Sequence, residues 1–178
     1  MRMKLIITEE QYRLLKEDNS YDNVVDLLMN PDKVNREISL LLIKNQGLGI
    51  LEIASKILEK KNISSFEDLN SLLKSRNGNV FLPIKILNDY VGLHTTIKKS
   101  GSSGYKYQDL NVEIYSKSDS KRQRSYKKSI LIYSNEPEAD IPGEEEYFEF
   151  LEDALKYLLE IIKNVIIDEI NNLPKETE

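Results

Sequence analysis

The chain of 178 residues contains no cysteine, no tryptophan and a single histidine. Without cysteine, a disulfide framework, thiolate zinc sites and thiol catalysis are excluded, and one imidazole is too few for a histidine-based metal centre. The chain also lacks an apolar run of about 18 residues, and it does not open with a signal-peptide pattern. We therefore expect no membrane contact, no catalytic residue, no metal or cofactor, and a protein made in the cytoplasm.

The residues that are present suit a folded domain. Hydrophobic residues make up 40% of the chain and charged residues 31%, which is enough for one domain of ordinary size. The net charge of -5 argues against binding of nucleic acid by the charge of the whole protein, but it is compatible with a local basic patch. Lysine outnumbers arginine by 19 to 6, a ratio typical of AT-rich coding sequences.

The first part of the chain is predicted to be mainly helical. A short apolar run at 3–7 predicts a strand, and the capping-box residues Thr8 and Gln11 predict a helix after it. Apolar residues at helical spacing and residues typical of helix caps predict further helices at 21–29, 30–45, 50–60, 64–77 and 84–91. Ser64 and Glu67 lie in capping-box positions at the start of the fourth of these.

The middle of the chain predicts an antiparallel β-hairpin. The segment 98–104 is polar, small and rich in serine and glycine, which predicts a flexible loop. From 105 to 116 apolar and polar residues alternate, as expected of a strand with one buried face, and 126–133 is predicted to pair with it. The segment 117–125 between them is then the hairpin loop, which we expect to be long and to project.

The longest predicted element is a helix from Glu144 to about Asn172. Its apolar residues recur at steps of three and four and form one stripe: Phe148, Leu151, Leu155, Leu158, Ile162 and Val165. Further apolar residues widen this surface, so we expect the helix either at the centre of the core or at an interface with another subunit.

Together these elements predict an α+β fold with a short N-terminal strand and helical unit, a hairpin with a long charged tip, and a long amphipathic C-terminal helix. We divide the chain into a mainly helical part at 1–97, a flexible loop at 98–104, and a part at 105–178 that holds the hairpin and the long helix. We expect the two parts to share one hydrophobic core.

Two clusters of opposite charge are the candidate interaction sites. Twelve residues around the hairpin tip carry six cations, which are Lys117, Lys121, Arg122, Arg124, Lys127 and Lys128. The segment from Glu136 to Asp153 carries nine acids and no cation, and its candidate site residues are Glu144, Glu145, Glu146 and Glu149. One interpretation is electrostatic complementarity, within the fold or between neighbouring copies in a head-to-tail ring. The other is that both clusters are solvated surface, since an exposed ion pair contributes only about 0–1 kcal/mol.

Nucleic-acid binding and enzymatic chemistry have weaker support in the sequence. The basic tip with nearby tyrosines is compatible with contacts to phosphates and bases, which involve Tyr105, Tyr107, Tyr115, Tyr126 and Tyr133. The strand residues Glu113-Ile114-Tyr115 lack the lysine that a metal nuclease places two positions after its carboxylate. His94 has no nucleophile or carboxylate at motif spacing, and no phosphate-binding glycine loop occurs. We therefore expect a protein that is not an enzyme.

The opening residues Met3 to Tyr12, MKLIITEEQY, resemble the start of many small proteins encoded by tailed bacteriophages, including structural proteins of crAss-like phages. The resemblance implies a virion component, namely a subunit of a connector ring in the neck beneath the portal. It implies three kinds of partner: copies of the chain itself, the portal or other neck and tail proteins, and packaged DNA contacted without sequence specificity. It transfers no functional residue.

The alternative prediction is a small cytoplasmic adaptor or regulator. Such a protein binds another protein or a nucleic acid through the basic hairpin at 117–128. Binding that weakens with salt, and is lost when the basic side chains of the tip are removed, distinguishes it from a ring subunit.

Overall fold

Five helices and four strands make up the fold in a computed structural model, which describes residues 21–29, 33–87, 89–118 and 121–173. Side chains are described for all of these except 33–35, 45, 46, 118 and 121–124. The helices are α1 (Tyr21–Met29), α2 (Lys33–Gln46), α3 (Ile50–Glu59), α4 (Phe66–Ser75) and α5 (Glu144–Asn171). The strands are β1 (Val80–Ile86), β2 (Asp89–Ser102), β3 (Tyr105–Ser118) and β4 (Lys121–Ser134). The predicted α+β class is confirmed, and the strand and helix predicted before residue 20 lie outside the described residues.

Helix α4 begins one residue later than the capping pattern predicted. The Ser65 hydroxyl accepts a hydrogen bond from the Asp68 backbone N–H at 3.3 Å, and the Asp68 carboxylate accepts one from the Ser64 N–H at 2.8 Å. Each side chain therefore satisfies a backbone donor that the helix start leaves without a partner. Since Ser64 and Ser65 are equally suited to cap a helix, the sequence alone does not choose between them.

The four strands form one antiparallel sheet in the order β1-β2-β3-β4. The prediction of a helix at 84–91 is wrong, because this segment is the end of β1, a turn and the start of β2. Ile84, Ile86 and Val91 are fully buried, whereas Lys85 between the two isoleucines is exposed, which is the alternation of a strand. The turn is tied to the helical layer, since the Leu87 N–H donates to the Leu28 carbonyl at 2.8 Å.

The predicted flexible loop at 98–104 is also wrong. β2 continues to Ser102, pairs with Tyr105 in β3, and leaves only Ser103 and Gly104 in the turn. Both turn residues have positive φ, 55° and 87°, as a tight hairpin of this length requires. The helices do not cover this end of β2, so its residues carry no apolar alternation from which a strand can be read.

The predicted projecting loop at 117–125 is corrected in the same way. β3 runs to Ser118 and β4 begins at Lys121, so that only residues 119 and 120 separate the strands. Lys117 pairs with Tyr90 in β2 on one side and with Arg122 in β4 on the other. The basic segment is therefore part of the sheet and lies beside the start of β2.

Helix α5 confirms the predicted long C-terminal helix and contacts all four strands as well as helices α2, α3 and α4. From its predicted stripe, Leu151, Leu158, Ile162 and Val165 are buried, and Phe148 and Leu155 are half-buried against the same core. That core is continuous from the helices to the sheet. We call the face of the sheet that packs on α5 the inner face and the opposite one the outer face.

The one buried acid of α5 has a partner on α2. The Arg36 guanidinium donates to the Glu169 carboxylate through Nε at 2.9 Å and also through its terminal nitrogen. A buried carboxylate without a partner is costly, so this ion pair fixes how the two helices meet. Among the described residues, no helix combines the length and the apolar character needed to cross a membrane.

Candidate interaction surfaces

The outer face of the sheet is open to solvent within the described part of the chain. Because side chains alternate along each strand, the residues opposite the buried positions point to this face. Its exposed cations include Lys85, Lys98 and Lys127. Lys127 is 69% exposed, and its Nζ lies 3.6 Å from a Glu113 carboxylate oxygen on the neighbouring strand. The face is therefore polar, and its lysines outnumber the acids that lie beside them.

The structure divides the predicted basic cluster between two sides of β4. Lys117 and Lys127 lie on the outer face, where the Lys117 Nζ sits 5.8 Å from the centre of the Tyr90 ring. Lys128 lies on the inner side at the sheet edge, in a shallow depression shared with Asp153 and Lys156 of α5. For the rest of the cluster the backbone alone is described: Lys121, Arg122 and Arg124 pair with Ser118, Lys117 and Ser116 of β3.

The predicted acidic residues lie in the helical layer. Glu144, Glu145, Glu146 and Glu149 are all exposed on the first turns of α5. Phe148 lies in a depression lined by Glu144, Glu145, Glu149 and Glu152, and its ring packs against Phe66 of α4 with the ring centres 5.2 Å apart. The helix begins at Gly143 without a side-chain cap, so these carboxylates also stabilise the positive end of its dipole.

The sheet separates part of the basic cluster from the acids at the start of α5. Lys117 and Lys127 are on its outer face, whereas Glu145 and Glu149 are on a helix that packs against its inner face. Lys127 is paired within the sheet to Glu113 and not to an acid of α5. Lys128, by contrast, lies on the inner side beside Asp153. Two cations of the basic cluster and the acids at the start of α5 therefore lie on opposite sides of the sheet.

Three of the five tyrosines predicted to face nucleic acid have other roles. The Tyr115 ring lies over Gly92 and is 6% exposed, and Tyr126 stacks on Tyr157 with the ring centres 4.5 Å apart. Burial, and to a lesser degree the nearby Asp153 carboxylate, raises the pKa of Tyr126. Tyr107 donates a hydrogen bond to Glu136, and this bond raises its pKa. Tyr105 and Tyr133 remain exposed.

The residue that sequence reasoning missed on this face is Phe81. Its side chain is 62% exposed, and it meets His94 edge-on with the ring centres 6.1 Å apart. Once β1 and β2 are read as paired strands, Phe81 is opposite His94 and both fall on the outer face. The helix predicted at 84–91 hides this arrangement, because it removes the pairing of β1 with β2.

The described residues hold no group of three or more histidine, aspartate or glutamate side chains arranged to bind a metal ion. His94 lies exposed on the outer face, next to Phe81 and opposite Glu113. Comparisons of this chain with known protein families, with curated proteins and with solved structures find no match.

Proposed function

We propose that this chain is a non-enzymatic assembly protein whose copies join head to tail. The observation that carries the proposal is the separation of charge: Lys117 and Lys127 on the outer face, Glu145 and Glu149 on the other side of the molecule. In a head-to-tail contact the basic side of one copy meets the acidic side of the next, and such contacts close into rings when the rotation between copies allows it. Charge complementarity orients the partners and speeds their encounter.

The setting we propose is the neck of a tailed bacteriophage. The resemblance of residues Met3 to Tyr12 to the start of phage virion proteins supports this setting. In that setting the chain is a ring subunit in the virion, with the portal or other neck and tail proteins above and below it. Outer-face lysines that take no part in the contact between copies, such as Lys85 and Lys98, are then available to touch packaged DNA through its phosphates.

The proposal predicts a mass in solution that rises with protein concentration and falls with salt. We expect light scattering at low ionic strength to report oligomers, and we expect about 0.3 M salt to dissociate them, because exposed charges are screened over about a nanometre or less. Reversing both outer-face charges, Lys117→Glu with Lys127→Glu, should weaken association by about tenfold or more.

The matched control reverses two lysines of the helical layer, Lys44→Glu with Lys61→Glu, so that the net charge changes equally. We expect the control to assemble nearly as the parent protein does. A protein that stays monomeric at every concentration and salt level, with a portal protein present as well as without it, contradicts the proposal. If both pairs of substitutions weaken association equally, the effect comes from net charge and not from the outer-face lysines, which also contradicts the proposal.

A second candidate function is a regulator that binds single-stranded nucleic acid on the outer face. The observation in its favour is Phe81, an exposed aromatic ring on the same face as Lys85, Lys98 and Lys127, since stacking of a base on such a ring contributes about 1–3 kcal/mol. We expect Phe81→Ala to weaken binding of a labelled oligothymidine by about tenfold or more. Replacing Lys121, Arg122 and Arg124 with alanine should lower the salt dependence of that binding.

Fluorescence anisotropy at two salt concentrations measures both effects. The control is Leu51→Ala, which removes a side chain that is 54% exposed on α3, away from the sheet. If the parent protein does not bind the oligonucleotide, or binds it equally well without the Phe81 ring, this second function is wrong.

A further inference from the structure

Exposed apolar side chains are concentrated at one end of the sheet. Six large apolar side chains are exposed among the described residues, and four of them lie at the end where β3 begins and β4 finishes. These four are Tyr105, Ile132, Tyr133 and Ile141. Such a concentration on an otherwise charged surface is typical of a site where another molecule binds.

A cleft opens among these residues. It has a volume of about 510 Å³ and lies between the end of α4, the inner face of the sheet and the segment that leads into α5. Its walls are apolar and are formed by Leu73, Ile97, Leu110, Leu131, Ile132 and Ile141. Its rim carries Lys74 and Glu144. The space is large enough for one or two bulky side chains.

Hydrogen bonds fix the start of the connection from β4 to α5, whose later residues line the cleft. The Tyr107 hydroxyl donates to the Glu136 carboxylate, and the Glu136 N–H donates to the Ser134 hydroxyl at 3.0 Å. The Asn135 side-chain oxygen accepts from the Lys106 N–H at 2.6 Å. In the cleft itself, the Tyr147 hydroxyl donates to Asn70 at 3.2 Å, so that this side chain is held in place before a ligand binds.

The cleft adjoins the edge of β4, along which no described strand pairs. The opposite edge of the sheet is β1, which has seven residues and contains Pro83, so it is short and lacks one N–H donor. β4 has 14 residues and no proline. The register between β3 and β4 shifts beside Ile132, and such a bulge turns a side chain out of the regular alternation. Here Ile132 lines the cleft.

We propose that the edge of β4 and this cleft bind an extended acidic segment of a partner protein. The segment pairs as a fifth strand, its acids face the exposed Lys127 and Lys128, and one bulky apolar side chain enters the cleft beside Ile132. Main-chain hydrogen bonds along an edge supply affinity in such complexes, and pockets for side chains supply selectivity. This site goes beyond the proposed assembly function and does not depend on it.

The occupant is a different protein and not a second copy of this chain. The segment of this chain that is densest in acids, from Glu136 to Asp153, holds nine of its 30 acidic residues, and two prolines and the start of α5 prevent it from forming an extended strand. The charge of the edge selects an acidic partner, since Lys127 and Lys128 are both exposed on it. The apolar walls favour a peptide with a large apolar side chain over a nucleic acid.

The probes are fluorescein-labelled peptides of about ten residues in which pairs of aspartates alternate with pairs of threonines, so that both faces of the added strand carry acids, and one phenylalanine lies near an end. Both sequence orders are used, since the added strand can run in either direction. A third peptide repeats the better binder with alternate backbone nitrogens methylated, which removes ladder donors and keeps every side chain. A fourth replaces phenylalanine with alanine, and a fifth replaces aspartate with lysine.

We expect one acidic order to bind in fluorescence anisotropy, and the methylated, alanine and lysine peptides to bind about tenfold more weakly or worse. Ile132→Asp in the protein should weaken binding similarly, and Phe81→Ala on the outer face should leave it unchanged. Both side chains are exposed, and circular dichroism checks that both variants fold.

The proposal is overturned if neither acidic peptide binds, if the methylated peptide binds as well as its parent, or if Ile132→Asp has no effect. These results are independent of the assembly proposal, because Ile132 belongs to neither charged surface. If the protein is monomeric and binds the peptide, only the assembly proposal is contradicted. If it forms oligomers and does not bind the peptide, only the proposal of this binding site is contradicted.

Discussion

Leu158→Ala is expected to lower the free energy of unfolding by about 2–5 kcal/mol. Leu158 lies in the middle of α5, is 1% exposed, and belongs to the core between the helices and the sheet. Truncating it removes buried apolar surface and leaves a cavity that close-packed neighbours fill only in part. Urea unfolding followed by circular dichroism measures the loss, and tyrosine fluorescence provides a second probe because the chain has no tryptophan.

The control for this prediction is Leu51→Ala, the same chemical change at a side chain that is 54% exposed on α3. We expect it to change the free energy of unfolding by less than about 0.5 kcal/mol. The concentration dependence of the loss at Leu158 also separates the two interpretations of the apolar stripe on α5. If the stripe is core, the loss in free energy of unfolding is independent of protein concentration. If it is an interface between subunits, the loss depends on protein concentration. Equal losses at the two leucines contradict the packing described here.

Gly78→Ala is expected to lower the free energy of unfolding by about 2–4 kcal/mol, from two sources that add. Gly78 closes α4, where its N–H donates to the Leu73 carbonyl at 2.8 Å and its φ is 75°. A side chain at that φ is strained. A Cβ there also lies 2.5 Å from Cδ1 of Ile97 and 2.6 Å from its Cγ1, so the Ile97 side chain or the strand that carries it must shift.

Gly47→Ala is the matched control, because Gly47 has a similar φ of 62° and open space around its Cα. We expect Gly47→Ala to lower the free energy of unfolding by about 1 kcal/mol, which measures the backbone strain alone. The additional loss in Gly78→Ala then measures the crowding against Ile97. In an Ile97→Ala background the excess should disappear, which a double-mutant cycle measures. Equal costs at the two glycines in the parent protein show that Ile97 does not crowd this turn.

The elements with one buried face and one solvent face were predictable. The stripe of α5 and the alternation around Leu110, Val112 and Ile114 both report the face that packs on the core, and the structure confirms both elements. These patterns arise because the buried side of a helix recurs every three or four residues and that of a strand every second residue. The sequence therefore predicts a helix or strand well when only one face of that element is buried.

The first hairpin was missed because one of its turn residues is a leucine, although Asn88 and Asp89 after it are residues typical of turns. Between β1 and β2 the chain turns at Leu87, which is fully buried and has a φ of 57°. Leucine rarely adopts this conformation, and turns are read from glycine, asparagine, aspartate and proline. Packing against Leu28, to which Leu87 is also hydrogen-bonded, overrides the local preference. Such a tertiary effect is invisible in a single sequence.

The cations that the sequence predicts to act together at a projecting tip are divided, because the segment is strand and not loop. Lys127 and Lys128 are neighbours in β4 and so point to opposite faces, Lys127 with Lys117 to the outer face and Lys128 to the inner side at the edge. Nearer the turn, Ser116 pairs with Arg124 but Lys117 pairs with Arg122, so one residue of β4 is passed over. The sequence does not state such a shift in register.

Reversing the charges on each side of the molecule tests whether opposite charges join copies head to tail, as we propose. Two variants test it together: one reverses the basic side with Lys117→Glu and Lys127→Glu, and the other reverses the acidic side with Glu145→Lys and Glu149→Lys. In each variant alone, both sides of every contact carry like charge. In a mixture, each side of one variant finds an opposite charge on the other variant.

Sedimentation velocity of the two variants, alone and mixed in equal amounts at low salt, is the most direct measurement. We predict that each variant alone sediments as a monomer and that the mixture sediments as oligomers with the mass of the parent assembly. Circular dichroism confirms beforehand that both are folded. A mixture that sediments as the sum of its two components contradicts head-to-tail assembly by these surfaces.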